Sequence, residues 1–137
     1  KFKMTNFQAA LGISQLKRAE KKLERRIQLA NNYNNAFKNL DIKIPKIDEK
    51  NKHAFHLYVI QVDNRKALYD YLKKKGIHTQ VHYIPIHKLP FYERLYGKQT
   101  FENSEKYYSK CLSLPLYPSL EEKEQEFIIN EIKNFLN

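Results

Sequence analysis

From Phe7 onward, apolar side chains recur every three or four positions: Leu11, Leu16, Ala19, Leu23, Ile27, Ala30, Tyr33 and Phe37. That spacing places them along one stripe of a helix. It predicts a single helix from Phe7 to about Asn39, with Thr5 or Asn6 as its N-cap. In the middle of this helix, Lys17, Arg18, Lys21, Lys22, Arg25 and Arg26 alternate with Glu20 and Glu24. Charges of mixed sign at such separations read as a solvated face, with a phosphate-binding stripe as the minority reading.

After a connection from Asn39 to Lys52, the period changes. Ile42 and Ile44 alternate around Lys43 until Pro45 stops the run. The stretch HAFHLYVIQV, His53 to Val62, then predicts a strand with Phe55, Leu57 and Val59 on one face and Tyr58, Ile60 and Val62 on the other. Apolar residues on both faces mean that both are covered. His53 and His56 are expected to be sheet or edge residues. Asp63 or Asn64 caps a helix with Ala67, Leu68, Tyr71 and Leu72 inward, and Gly76 ends it. IHTQVHY is expected as a second strand. Pro90 opens a short helix and Gly97 closes it. Glu102 to Lys110 is helical, CLSLPL is a third strand, and Glu121 to Leu136 is a closing helix with Phe127, Ile128, Ile132, Phe135 and Leu136 inward. A long helix over residues 1–39 followed by a small domain over 40–137 gives an α+β fold, a small mainly antiparallel sheet with helices packed on it.

Composition narrows the function classes. The chain has 137 residues, 42% hydrophobic and 29% charged, which fits one globular domain or a piece of a larger protein. No apolar run approaches the roughly 20 residues of a membrane span. No apolar signal-type run follows Lys1 to Asn6, and the chain opens on Lys1 rather than Met, as if cut from something longer. Cys111, the single cysteine, excludes an internal disulfide, fits a cytoplasmic setting, and reads as a small buried apolar residue. No Cys/His spacing suits zinc. The net charge of +10 suits an anionic partner: nucleic acid, a phosphorylated small molecule or an acidic protein.

One segment concentrates candidate chemistry. VHYIPIHKLPFYERLYG, Val81 to Gly97, holds two histidines, three tyrosines and two prolines in 17 residues. His82, Tyr83 and His87 offer hydrogen-bonding groups on stiff bodies, and Pro85 and Pro90 restrict the backbone between them. If the preceding strand continues, His82 and Tyr83 point to opposite faces.

Four landmarks stand in order: FKMTNFQAALGISQLKRAE, HAFHLYVIQV, RKALYDYLKKKGIHTQVHYIPIHKLPFY and LSLPLYPSLEEKEQEFI. Together they resemble the C-terminal part of the DegT/DnrJ-type sugar aminotransferases, over nearly the whole chain. The resemblance implies the small domain of the aspartate aminotransferase fold and pyridoxal phosphate as cofactor. It also implies a homodimer that aminates a nucleotide-linked keto-sugar with a donor such as glutamate. The family's catalytic lysine and its main cofactor contacts precede the segment matched here, so no catalytic residue is expected in this chain, and no activity from it alone. The family opens this part with Asn-Tyr/Phe-Arg-Met-Thr. Phe2, Met4 and Thr5 fit that pattern, while Asn6 stands where an acidic residue is usual. Lys1 replaces the asparagine that reaches the cofactor phosphate of the other subunit, and Lys3 replaces the arginine. By this resemblance Lys1 is the cofactor contact, and Lys3, His82, Tyr83 and His87 border the sugar nucleotide. Two alternatives stay open: a free-standing basic binding domain for nucleic acid or protein, and a non-catalytic relative of the family.

Overall fold

The computed structural model describes residues 3–48 and 50–136. The expected contact at Lys1 lies outside them. Six helices and two strands are present among the described residues: α1 (Asn6–Leu16), α2 (Ala19–Phe37), β1 (Tyr58–Gln61), α3 (Arg65–Lys74), α4 (Pro90–Tyr96), α5 (Glu102–Lys110), β2 (Cys111–Leu114) and α6 (Glu122–Leu136).

The sheet is antiparallel and smaller than expected. β1 and β2 pair with Tyr58 opposite Leu114 and Ile60 opposite Leu112. Single bridges extend the ladder on each side, Lys43 to Gln61 and Gln80 to Ser113. His53 to Leu57 therefore lies outside the strand, and IHTQVHY contributes one bridging residue instead of a strand. Extended backbone becomes strand only where a neighbour offers donors and acceptors. Tyr58, Ile60 and Val62 are buried, while Leu57 and Val59 on the other face are half-buried.

The core lies between the sheet and the helices. Leu29, Ala30, Tyr33 and Phe37 of α2 meet Tyr58, Ile60, Leu112 and Leu114, and Leu68, Leu72, Ile128 and Ile132 complete it from α3 and α6. Gln125 of α6 is buried but satisfied: its amide donates to the Leu29 carbonyl at 2.7 Å and accepts from Asn32 at 3.0 Å. Helix ends follow local chemistry. Ile77 N–H bonds the Leu72 carbonyl at 2.9 Å and Gly76 N–H the Lys73 carbonyl at 3.1 Å. This is a Schellman stop, with Gly76 left-handed at φ 77° and both Leu72 and Ile77 buried. Ala67 and Phe127, expected inward, are exposed. Each lies at the margin of a helical stripe whose centre is taken by Leu68 and Ile128.

The expected single N-terminal helix is two. It breaks at Lys17–Arg18, where the Arg18 N–H bonds the Gln15 carbonyl at 3.0 Å in place of an α-helical partner. Neither residue disfavours helix, so nothing local announces the break. Thr5 caps α1 through a reciprocal box with Gln8, whose N–H reaches Thr5 Oγ1 at 3.3 Å. α1 buries none of its residues. Phe7 is 90% and Leu16 75% exposed, with Leu11 and Ile13 beside them. An apolar surface of that extent drives association. The 137-residue chain is expected to self-associate at high concentration, and Leu11→Glu with Leu16→Glu to reverse this. A strictly monomeric wild-type chain by light scattering would refute the expectation.

Candidate functional site

The segment after Gln80 is held by Ser113 through two of its parts. Gln80 and Ser113 exchange backbone hydrogen bonds, at 3.2 and 2.8 Å. The buried Ser113 hydroxyl also meets His82 Nδ1 at 2.8 Å. His82 is thus half-buried and committed to β2. Tyr83 stands edge-on to it, ring centroids 4.7 Å apart, with 75% of its surface exposed. The peptide bond between them is cis. Of the two, Tyr83 is the group free to meet a ligand.

His87 is positioned differently. It lies in a 3-10 turn, Ile86–Lys88, closed by Lys88 N–H on the Pro85 carbonyl at 2.9 Å. Its Nε2 is 3.1 Å from Glu105 Oε1 on α5, and its ring meets Phe101 edge-on at 4.9 Å. The Lys88 ammonium reaches Glu105 Oε2 at 2.5 Å, and the Phe101 N–H donates to Oε1 at 3.2 Å. Those three donors, Lys88 foremost, pull the Glu105 carboxyl down from 4.5 to about 2. A depressed carboxyl stabilises the fold above its ordinary value, so this contribution is full above about pH 4.5 and is lost as pH falls through about 2. His87 is therefore part of a knot that ties the turn to α5, with little ring surface left for a ligand.

Lys3 is exposed in the extended lead-in to α1. The structure thus brings His82 and Tyr83 together beside Ser113 and ties His87 separately to α5. Ser113 and Glu105 escaped the sequence reading. A serine inside the apolar run CLSLPL was the available signal for the first. Nothing in the sequence pairs Glu105 with a histidine 18 positions away.

The lysines decide how this surface stands toward a cofactor. A lysine that carries pyridoxal phosphate works as a free amine, which needs a desolvated or charge-repelled site. The buried polar residues of the described chain are Thr79, Ser113, Gln125 and Glu131, and no lysine is among them. Lys75 is shifted the wrong way: Glu131 accepts its hydrogen bond and holds its ammonium above the usual lysine range. The described lysines do not fit the point of attachment of such a cofactor. Cys111 is buried, which pushes its thiol up and leaves it unreactive. Among the described residues, no group of three or more His, Cys, Asp or Glu side chains could hold a metal, and no helix is long and apolar enough to cross a membrane.

Known proteins match this chain over nearly its whole length. The model of the DegT/DnrJ/EryC1/StrS aminotransferase family matches residues 1–133. The chain is 38% identical over 146 residues to the spore coat polysaccharide biosynthesis protein SpsC of Bacillus subtilis, covering 99% of this chain and 38% of that protein. It is 31% identical over 141 residues to the UDP-4-amino-4,6-dideoxy-N-acetyl-beta-L-altrosamine transaminase of Campylobacter jejuni, covering 98% of this chain and 38% of that one. Among solved structures it matches Helicobacter pylori PseC, an aminotransferase involved in the biosynthesis of pseudoaminic acid, with a TM-score of 0.90 and 29% identity, over 98% of this chain and 38% of the other. The chain thus spans about 38% of the length of these relatives. With a match over nearly every residue and a fold that follows an aminotransferase from end to end, this chain belongs to the DegT/DnrJ/EryC1/StrS aminotransferase family.

Proposed function

We propose that this chain is the C-terminal part of a pyridoxal-phosphate-dependent transaminase that converts a nucleotide-linked keto-sugar to an amino-sugar, for a surface polysaccharide or glycan, and that it does not catalyse alone. Glutamate is the proposed amino donor and a homodimer the proposed assembly. The cofactor, when bound, supplies the amino-transfer chemistry. This chain supplies the wall of the substrate mouth. The observation that carries the reading is Tyr83: an exposed phenol whose neighbour His82 is locked to Ser113. A hydroxyl held at a fixed place before the ligand arrives costs little ordering when it bonds a sugar or phosphate oxygen. His82 serves that placement, and His87 fixes the turn that follows. Lys1 and Lys3 are proposed to add positive charge toward phosphate, Lys1 across the dimer.

The test uses the full-length protein. Tyr83→Phe should lower kcat/KM for the keto-sugar nucleotide two- to about tenfold, the worth of one neutral hydrogen bond, and leave cofactor absorbance unchanged. His82→Ala should instead lower the melting temperature, because it leaves the buried Ser113 hydroxyl without its partner. Unchanged kinetics in Tyr83→Phe would remove the segment from the substrate site. Failure of the full-length protein to aminate any keto-sugar nucleotide would remove the function.

A further inference from the structure

On the face of β1 turned away from the core, beside the edge formed by residues 42–46, lies a cleft of about 670 Å³. Cavities of this order hold small ligands. Among the described residues, none from Val81–Gly97 lines it. We propose that this cleft binds a small organic anion, a phosphate or carboxylate group carried on a compact apolar body. The transaminase reading gives these residues no part.

The charged groups around the cleft are all of one sign. Lys43 and Lys46 line it, and among the described residues no aspartate or glutamate does. Asp63, a carboxylate that feels the Lys43 charge, is itself bound by the Lys110 ammonium. His53 adds a directed donor. Phe55, left-handed at φ 44°, turns its N–H onto His53 Nδ1 at 3.0 Å, and the two rings meet edge-on at 4.6 Å. An imidazole that accepts at Nδ1 carries its proton on Nε2. The Tyr107 hydroxyl lines the same cleft and can donate as well. Two ammonium charges with N–H and O–H donors beside them match the oxygens of an anion.

The rest of the lining is apolar and held in place. Ile44, Leu57 and Val59 are half-buried, so part of each side chain still faces the cleft. Covering that surface strengthens binding in proportion to the apolar area removed from water. A bare inorganic anion would leave it wet, and an anion with an apolar body would not. Lys43 and Gln61 exchange backbone hydrogen bonds, both at 2.9 Å, which ties the edge to β1. A bulky residue stays left-handed only where its surroundings fix that geometry, and at Phe55 the geometry sets the His53 ring beside the cleft. The net charge of +10 draws anions toward the chain in general.

Calorimetry of phenyl phosphate, benzoate and inorganic phosphate on the full-length protein tests the proposal. Phenyl phosphate or benzoate should bind once per chain, about tenfold or more tightly than inorganic phosphate. The tighter of the two identifies the head group. Lys43→Gln with Lys46→Gln should weaken that binding about tenfold or more. Both lysines are exposed, so the melting temperature should hold. His53→Asn keeps an acceptor for the Phe55 N–H but lacks the Nε2 donor, and should weaken binding about tenfold. Tyr83→Phe should leave it unchanged. No binding of either aromatic anion, or equal affinity in the double lysine variant, overturns the proposal. So does a loss in Tyr83→Phe, or a matching fall of kcat/KM for the keto-sugar nucleotide in the double lysine variant. The cleft would then be part of the substrate mouth, and the transaminase reading would stand. Because binding is read without turnover, a full-length protein that binds the probe but aminates no keto-sugar nucleotide loses the transaminase reading and keeps the anion site.

Discussion

Tyr33→Ala is expected to cost about 3–5 kcal/mol, the range for deleting a large buried aromatic. Tyr33 is fully buried at the centre of the domain. Its ring stacks on Phe37 at 5.6 Å and leans on Tyr58 at 4.9 Å, so one side chain joins two turns of α2 to β1. Its hydroxyl donates to the Pro115 carbonyl at 2.9 Å, which fastens the exit from β2. Burial accordingly pushes the phenol well above its usual titration range. Truncation removes the ring contacts, opens a cavity and orphans a carbonyl at once. A domain of ordinary stability holds about 5–15 kcal/mol in all, so urea denaturation should show a midpoint lowered by about a fifth or more. Tyr33→Phe isolates the hydroxyl and should cost about 1 kcal/mol. A midpoint for Tyr33→Ala no lower than that of Tyr117→Ala, at an exposed tyrosine, would refute the role given to Tyr33.

Arg26→Ala should destabilise by about 2–3 kcal/mol, an effect that a surface arginine would not show. The half-buried guanidinium donates through Nη1 to the carbonyls of Phe55 at 3.1 Å and Leu116 at 3.2 Å, with His56 at 3.4 Å as a weaker third. It thereby joins α2 to the approach to β1 and to the exit from β2. Phe55 is a demanding point: its φ of 44° is left-handed, a conformation that a bulky residue adopts only when its surroundings impose it. Its ring is buried, its N–H donates to His53 Nδ1 at 3.0 Å, and Arg26 holds its carbonyl. Without Arg26 those carbonyls lose a charged donor and the segment from His53 to Leu57 should exchange its amide hydrogens faster. Arg26→Lys should recover only part of the loss: all three bonds leave one nitrogen, Nη1, and the shorter lysine side chain brings its ammonium less far toward those carbonyls. Stability within about 0.5 kcal/mol of a Lys21→Ala control would refute the assignment.

Arg25 and Arg26 also show where sequence reading stopped. On the linear pattern they belong to a mixed-charge, solvated stripe. In the fold Arg25 donates to the Leu120 carbonyl at 2.8 Å and Arg26 bonds loops 29 and 90 positions away. The basic residues of α2 that face the sheet are thus used as internal donors, which weakens the reading of the net charge as a binding stripe.

The candidate site divides in the same way. His82, Tyr83 and His87 stood out in the sequence as polar rings beside Pro85 and Pro90, and the family resemblance implied that they border a substrate. How each ring is held was not legible. Which ring is anchored and which is free depends on Ser113, 31 positions from His82, and on Glu105. Alternation along a continuing strand would have set His82 and Tyr83 on opposite faces, but the ladder ends with the single Gln80 bridge and the alternation ends with it.

What the sequence by itself determined is what neighbours along the chain control. Periodicity located the helices, since burying one face requires a repeat near 3.6. Gly76 and Gly97 set the ends of α3 and α4 because a left-handed residue is nearly free only for glycine, and Pro90 opened α4 because its fixed φ suits a first turn. Tertiary structure alone decided the shortening of the strands to four residues each, the exposure of Ala67 and Phe127, and the use of Arg26, Ser113 and Glu105. Each of these is a contact between residues far apart in sequence, or the lack of one. A hydrogen bond across 31 or 90 positions leaves no local signature, because its energy exists only after the chain has brought both partners together.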